Sequence, residues 1–181
     1  SEFMSGNFGF ADTLLVTLKK HNNTCPVMIS SSIQATLDND YGKSKKAGED
    51  LLFEYASKTG AKVLVYRLPN LFGKWCRPNY NSVIATFCNN IANDLEITVN
   101  NRETTLTLVY IDDLVCEMLN ALEGKENREG EFYKVKTEHI ATLGEIADLL
   151  YSFKNQTKTL VIPEIPSDSF EKKLYSTFLS Y

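Results

Sequence analysis

Tyr41 and Lys45 stand four residues apart, and in a helix that spacing puts both side chains on one face. A free phenol titrates near about pH 10, so a tyrosine exchanges protons near neutrality only where a neighbouring cation steadies its anion. Lys45 is of the right type and spacing to do so. A serine hydroxyl at the end of the preceding apolar segment, Ser32 with Ser31 as the fallback, can hydrogen-bond a substrate carbonyl while Tyr41 protonates it. The three residue types together describe a site for carbonyl reduction. A Tyr and a Lys four apart can also decorate the surface of any long helix, so the surrounding elements decide.

Those elements alternate between helix-like and strand-like segments along the whole chain, which points to an α/β fold. A helix is expected over residues 12–20, with Lys19, Lys20 and His21 suited to its C-terminus. A short buried strand over 26–29 runs into Ser30, Ser31 and Ser32, and open α/β sheets place their chemistry at such strand ends. After Asp38, Asn39 and Asp40, apolar positions Ala47, Leu51, Leu52, Tyr55 and Ala56 predict a helix over 41–58 that stops at Gly60. A strand over 62–67 follows, then a loop from Leu68 to Gly73. Further on, helices are expected over 82–92, 112–122 and 143–153, and strands over 96–99, 105–110 and 132–135. The Pro, Ser and Asp residues of 163–168 suggest a linker, and 170–181 a helix-like tail.

The chain has 181 residues and a formal net charge of -4, which fits one domain and offers no basic stripe for nucleic acid or an anionic membrane. No apolar run approaches the roughly 20 residues of a membrane span. No basic stretch precedes an apolar one at the N-terminus, so the expected compartment is the cytoplasm. Ser1, Glu2 and Phe3 read as a cloning scar. Cys25, Cys76, Cys88 and Cys116 lie singly, with only His21 and His139 to join them, so no zinc spacing exists and buried free thiols are expected.

The order of strand, three serines, Tyr-x-x-x-Lys helix, strand and Arg67-Leu68-Pro69-Asn70-Leu71-Phe72-Gly73 resembles the extended short-chain dehydrogenase/reductases, the NAD-dependent epimerase/dehydratase family. Tyr110-Ile111-Asp112-Asp113 is similar to the opening of a later family helix, although two carboxylates there also suit a helix N-terminus by themselves. The resemblance implies a partial Rossmann-like parallel sheet with the C-terminal, substrate-binding part of the fold. It implies Ser32, Tyr41 and Lys45 as catalytic residues, and Tyr41, Lys45 and Pro69 beside the cofactor. It places Ser31, Asn70, Lys74, Arg77 and Asn81 at the substrate, with simple turn stabilisation an equal reading of Asn70.

Residues 30–35, 69–76, 78–87 and 174–181 narrow the match to a capsule-forming branch in which a reductase domain precedes a cupin domain. What that implies is NADPH-dependent reduction of the 4-keto group of a UDP-2-acetamido-2,6-dideoxy-hexulose. The product would be UDP-N-acetyl-L-talosamine, on the route to N-acetyl-L-fucosamine, made by a homo-oligomer. Ile33-Gln34-Ala35 holds no acid for eliminating water, which sets dehydration aside; a 4-epimerase and a non-catalytic scaffold are the alternatives. Leu106-Thr107-Leu108 stands where many members hold an arginine for the nucleotide phosphates; Arg77, Arg102 and Lys74 are the candidates to compensate, with a solvated surface charge the favoured reading of each. The family's opening strand and glycine turn are also missing. Gly6-Asn7-Phe8-Gly9 resembles the start of a later family helix instead. The expected organisation is a scar over 1–3, a reductase domain lacking its first strands over 4–162, and a linker and tail over 163–181 toward an absent cupin. Tight cofactor binding by this chain alone is not expected.

Overall fold

The helix around Tyr41 is the longest element, and its ends follow from capping. In the computed structural model, which describes residues 3–159 and 164–181, it runs Asp40–Thr59 (α2). The Asn39 side chain accepts from the Gly42 N–H at 2.7 Å, and Gly60 closes the helix at φ 73°, a conformation that glycine adopts without a side-chain clash. Residues 1, 2 and 160–163 lie outside the described residues, and with them most of the expected scar and the start of the expected linker.

The chain divides into two compact units, each with its own sheet. The first, residues 1–69 with 125–134, opens on a π-helical turn, Met4–Gly9, that continues into α1, Phe10–Lys20. β1 (Val27–Ser32) pairs in parallel with β2 (Val63–Leu68), from Val27 against Val63 to Ser32 against Leu68. Its sheet has the order β1-β2-β6-β5, where β5 is Arg128–Glu129 and β6 is Phe132–Tyr133. Leu15, Leu52, Tyr55 and Val65 form the core between helices and sheet. β1 extends three residues beyond its expected end, because pairing with β2 holds the serines in the ladder.

The second unit, residues 70–124 with 135–181, is built on β3 (Asn70–Phe72), β4 (Thr105–Tyr110) and β7 (His139–Thr142), with β3 parallel and β7 antiparallel to β4. Around them lie α3 (Val83–Ala92), α4 (Ile111–Leu122), α5 (Leu143–Thr159) and α6 (Phe170–Phe178). Several expectations are corrected here. Part of the expected 68–73 loop is strand β3. Residues 96–99 form no strand, although Ile97 and Val99 still pack on the core. The helix-like character expected over 170–181 is present as α6, whose Leu174, Thr177 and Phe178 are buried, with Tyr175 against Phe153 at 5.0 Å between ring centroids. Of the four cysteines only Cys88 is buried, and burial pushes its thiol up to about 12; Cys25 and Cys116 are exposed.

Candidate active site

β1 alternates its side chains across the sheet, and that alternation separates the two candidate serines. Ser31 is buried and donates its hydroxyl to Glu49 Oε1 at 2.6 Å. Its one proton is thereby spent inside the fold. Ser32 is half-buried, and its Oγ accepts the Gln34 N–H at 3.2 Å, capping the 3-10 turn Ile33–Thr36. Its own proton is left to be donated. That turn packs on the first turn of α2 at Gly42, where a Cβ would overlap the carbonyl oxygens of Gln34 and Leu37. The glycine inside the Tyr-x-x-x-Lys motif thus allows the segment after Ser32 to close against the helix that carries Tyr41.

Lys45 lies one turn beyond Tyr41, with its ammonium 5.6 Å from the tyrosine ring centroid and 3.3 Å from the Ser30 carbonyl oxygen, to which it donates. Half-burial between α2 and β1 lowers its pKa below the ordinary lysine value. The Ser44 hydroxyl donates to the Tyr41 carbonyl at 2.7 Å and accepts from the Asn7 side chain at 3.0 Å, which ties the π-helical lead-in to the same turn. Phe3, assigned to the scar, lies edge-on to Tyr41 at 5.6 Å. Pro69 follows the end of β2, in the same unit as Ser32, Tyr41 and Lys45.

Sequence reasoning missed the group behind these residues. Glu49 is 0% exposed and takes Arg67 Nε at 2.9 Å and Nη2 at 2.6 Å in addition to Ser31. Arg67 lies 3.7 Å above the centre of the Phe132 ring and is held firmly charged by its bond to Glu49. The signal was present in the sequence, as an acid four residues after Lys45 on the buried face of α2 and an arginine ending an apolar strand.

Asn70, Lys74, Arg77 and Asn81 belong to the second unit. The Asn70 amide donates to the Thr107 carbonyl at 3.4 Å, a weak tie between β3 and β4. Lys74, Arg77 and Asn81 are exposed, with the Arg77 guanidinium 5.4 Å from the centroid of the Tyr80 ring. Their loop is held by the C-terminus: the Tyr181 hydroxyl donates to the Cys76 carbonyl, and Ser180 Oγ accepts the Trp75 N–H at 3.3 Å. Trp75 is 83% exposed at φ 61°. Arg102, the third candidate cation, is paired with Asp148 at 2.6 Å on the surface.

Tyr41, Lys45 and Pro69, the residues expected beside a nicotinamide, all belong to the first unit. Among the described residues no strand leads into a glycine turn, and Gly6 and Gly9 are both helical. No metal-binding group of His, Cys, Asp or Glu occurs among the described residues, and none of their helices is long and apolar enough to cross a membrane.

Comparison with known proteins places this geometry. The chain is 41% identical over 180 residues to the UDP-2-acetamido-2,6-beta-L-arabino-hexul-4-ose reductase of Pseudomonas aeruginosa, covering 99% of this chain and 48% of the relative. The crystal structure of the capsular polysaccharide assembling protein CapF from Staphylococcus aureus matches with a TM-score of 0.88 and 51% identity, over 94% of this chain and 47% of that one. The chain thus spans about half the length of either. A Thermotoga maritima UDP-glucose 4-epimerase shares the fold, with a TM-score of 0.74 at 20% identity over 94% of this chain and 67% of the epimerase. Residues 10–135 match the sequence pattern of the NAD dependent epimerase/dehydratase family, and the chain belongs to that family.

Proposed function

We propose that this chain carries the proton-donating and sugar-holding part of a nicotinamide-dependent reductase that acts on a UDP-linked 4-keto-deoxysugar. The observation that carries this reading is the placement of Tyr41 and Lys45 on one face of α2, with the segment after Ser32 closed onto its first turn. Identity of 41% along 99% of the chain to a reductase of such a sugar supports the substrate class. Within that class, the preferred reading is UDP-2-acetamido-2,6-dideoxy-hexulose reduced to UDP-N-acetyl-L-talosamine, with NADPH as the cofactor.

When bound, the reduced nicotinamide supplies the hydride to the carbonyl carbon. The chain's own residues serve the oxygen. The Ser32 hydroxyl donates a hydrogen bond to the carbonyl oxygen and polarises it, and the Tyr41 phenol delivers the one proton that completes the alcohol. The Lys45 ammonium, anchored on the Ser30 carbonyl, steadies the phenolate left behind. In the second unit, Lys74 and Arg77 are exposed cations of the type that binds phosphate, Arg77 beside the Tyr80 ring.

The test replaces the matched segment of the Pseudomonas aeruginosa reductase by this chain and follows consumption of NADPH with the UDP-ketosugar. Reduction consumes one cofactor per sugar. A 4-epimerase, which returns its hydride, would interconvert sugars with no net consumption, and that result would replace the reductase reading.

A further inference from the structure

Glu49 is fully enclosed, and its carboxylate is occupied by three directed bonds, from Ser31 Oγ at 2.6 Å, Arg67 Nε at 2.9 Å and Arg67 Nη2 at 2.6 Å. Stability alone does not explain such a group. A buried ion pair replaced by apolar side chains of similar volume is often neutral or stabilising, because removing two charges from water costs much of what their attraction returns. What directed bonds supply and apolar packing does not is a fixed register. The buried positions in the first half of α2 are Gly42, Ser44 and Gly48, which allow close approach but present no bulk to key the helix onto the sheet. Leu52 and Tyr55 provide that bulk only in its second half.

Glu49 stands between these halves, one turn after Lys45 and two after Tyr41 on the same face. It grips β1 through Ser31, the neighbour of both Ser32 and the Ser30 carbonyl that receives Lys45. It grips β2 through Arg67, two residues before Pro69. We propose that Glu49, through Ser31 and Arg67, is a positioning residue that fixes α2 against the ends of β1 and β2 and so sets Lys45 and Tyr41 beside Ser32. The inference rests on the reading of Tyr41 and Lys45 as the reacting pair, and it adds the group that holds them.

The experiment reads Lys45 directly, in this chain and without turnover. The rate at which an amine-reactive acylating reagent labels Lys45 is measured against pH by peptide mass spectrometry, with the exposed Lys58 as the internal standard. Glu49→Gln alone is a poor probe, since it leaves Arg67 charged without its carboxylate and endangers folding. The useful variant is the triple Ser31→Ala, Glu49→Met and Arg67→Met, which removes the network with no change in net charge and retains apolar volume. Far-ultraviolet circular dichroism and a cooperative melt establish that it folds.

If Glu49 positions the helix, Lys45 in the triple variant is released toward water and the midpoint of its labelling profile rises by about one pH unit, a fraction of what full burial can impose. Lys58 keeps its midpoint. An unchanged Lys45 midpoint in the folded triple variant overturns the proposal and leaves Glu49 a structural ion pair. Should the triple variant not fold, Ser31→Ala, which frees only the β1 grip, is expected to raise the midpoint in the same direction by less, and no rise there overturns the proposal equally. Loss of the reductase reading leaves a different mark: Tyr41→Phe without effect on turnover removes the chemistry, while the Lys45 profile still reports on Glu49.

Discussion

At the scale of single residues, the arrangement depends on which atoms have already been used. Ser31 and Ser32 are indistinguishable as letters, and only strand register shows that one hydroxyl is spent on Glu49 while the other keeps a proton to give. Tyr41 and Lys45 were legible because a spacing of four survives any detail of the surroundings. Glu49 was not, since one more acid on a helix looks like a solvated charge until the helix is docked. Gly42 allows a sharp test at this scale. Its missing Cβ is what admits the Gln34 and Leu37 carbonyls, so Gly42→Ala must push back the segment behind Ser32. Overpacking of this kind costs about 1–3 kcal/mol. Urea unfolding should show that loss despite alanine's better helix propensity, and a variant as stable as the parent would refute the close packing.

At the scale of elements, the helices and the central strands were readable from period and caps, and of the short strands only β6 was, within the strand expected over 132–135. β3 lay hidden in a Pro/Asn/Gly segment that reads as a loop, and β7 spans four residues whose pairing with β4 is decided by the fold. The expected strand over 96–99 had strand-like composition without a neighbour to pair with. α6 was readable as a helix while its packing was not, and that packing includes a polar anchor. Lys173 on α6 is buried, donates to Asp113 on α4 at 2.7 Å and approaches His139 on β7 to 3.4 Å. Burial, and then the Lys173 charge, hold the His139 pKa below the usual histidine value, against weaker opposing pulls from Asp113 and Glu171. The unfolded chain therefore takes up this proton first as pH falls. The contribution is fully present above the ordinary histidine range, about pH 6.5, and is lost progressively as pH drops below it. Thermal melts at about pH 7.5 and 5.5 should show a smaller acid-side loss in His139→Gln than in the parent; equal losses would mean that His139 does not report on the α6 anchor.

At the scale of the molecule, the acidic net charge and the ordinary apolar content describe a chain suited to a small-molecule partner, and the family match agrees with the α/β alternation read from the sequence. The first unit also presents an open edge. β1 is the outermost strand of its sheet and contains neither a charge nor a proline, the usual guards of an edge. Beside it, α1 exposes Phe10, at 72%, and Leu14, at 38%, along a groove whose lining also includes Met28. Such a surface favours self-association. Sedimentation is expected to show species above the monomer, reduced in Phe10→Lys/Leu14→Lys, and a monomer at all concentrations would show that the edge is protected.

The most direct test of the proposed chemistry is steady-state turnover of UDP-ketosugar with NADPH, in the Pseudomonas aeruginosa reductase carrying this chain in place of its matched segment, with and without Tyr41→Phe. The hydroxyl removed is proposed to act on the developing alkoxide and not on sugar binding. The predicted result is a fall in kcat of about 10²–10⁴-fold, the range for loss of a positioned general acid, with KM nearly unchanged. Equal kcat in the two proteins would contradict the assignment of Tyr41 as the proton donor, and with it the account of how this site reduces a ketone.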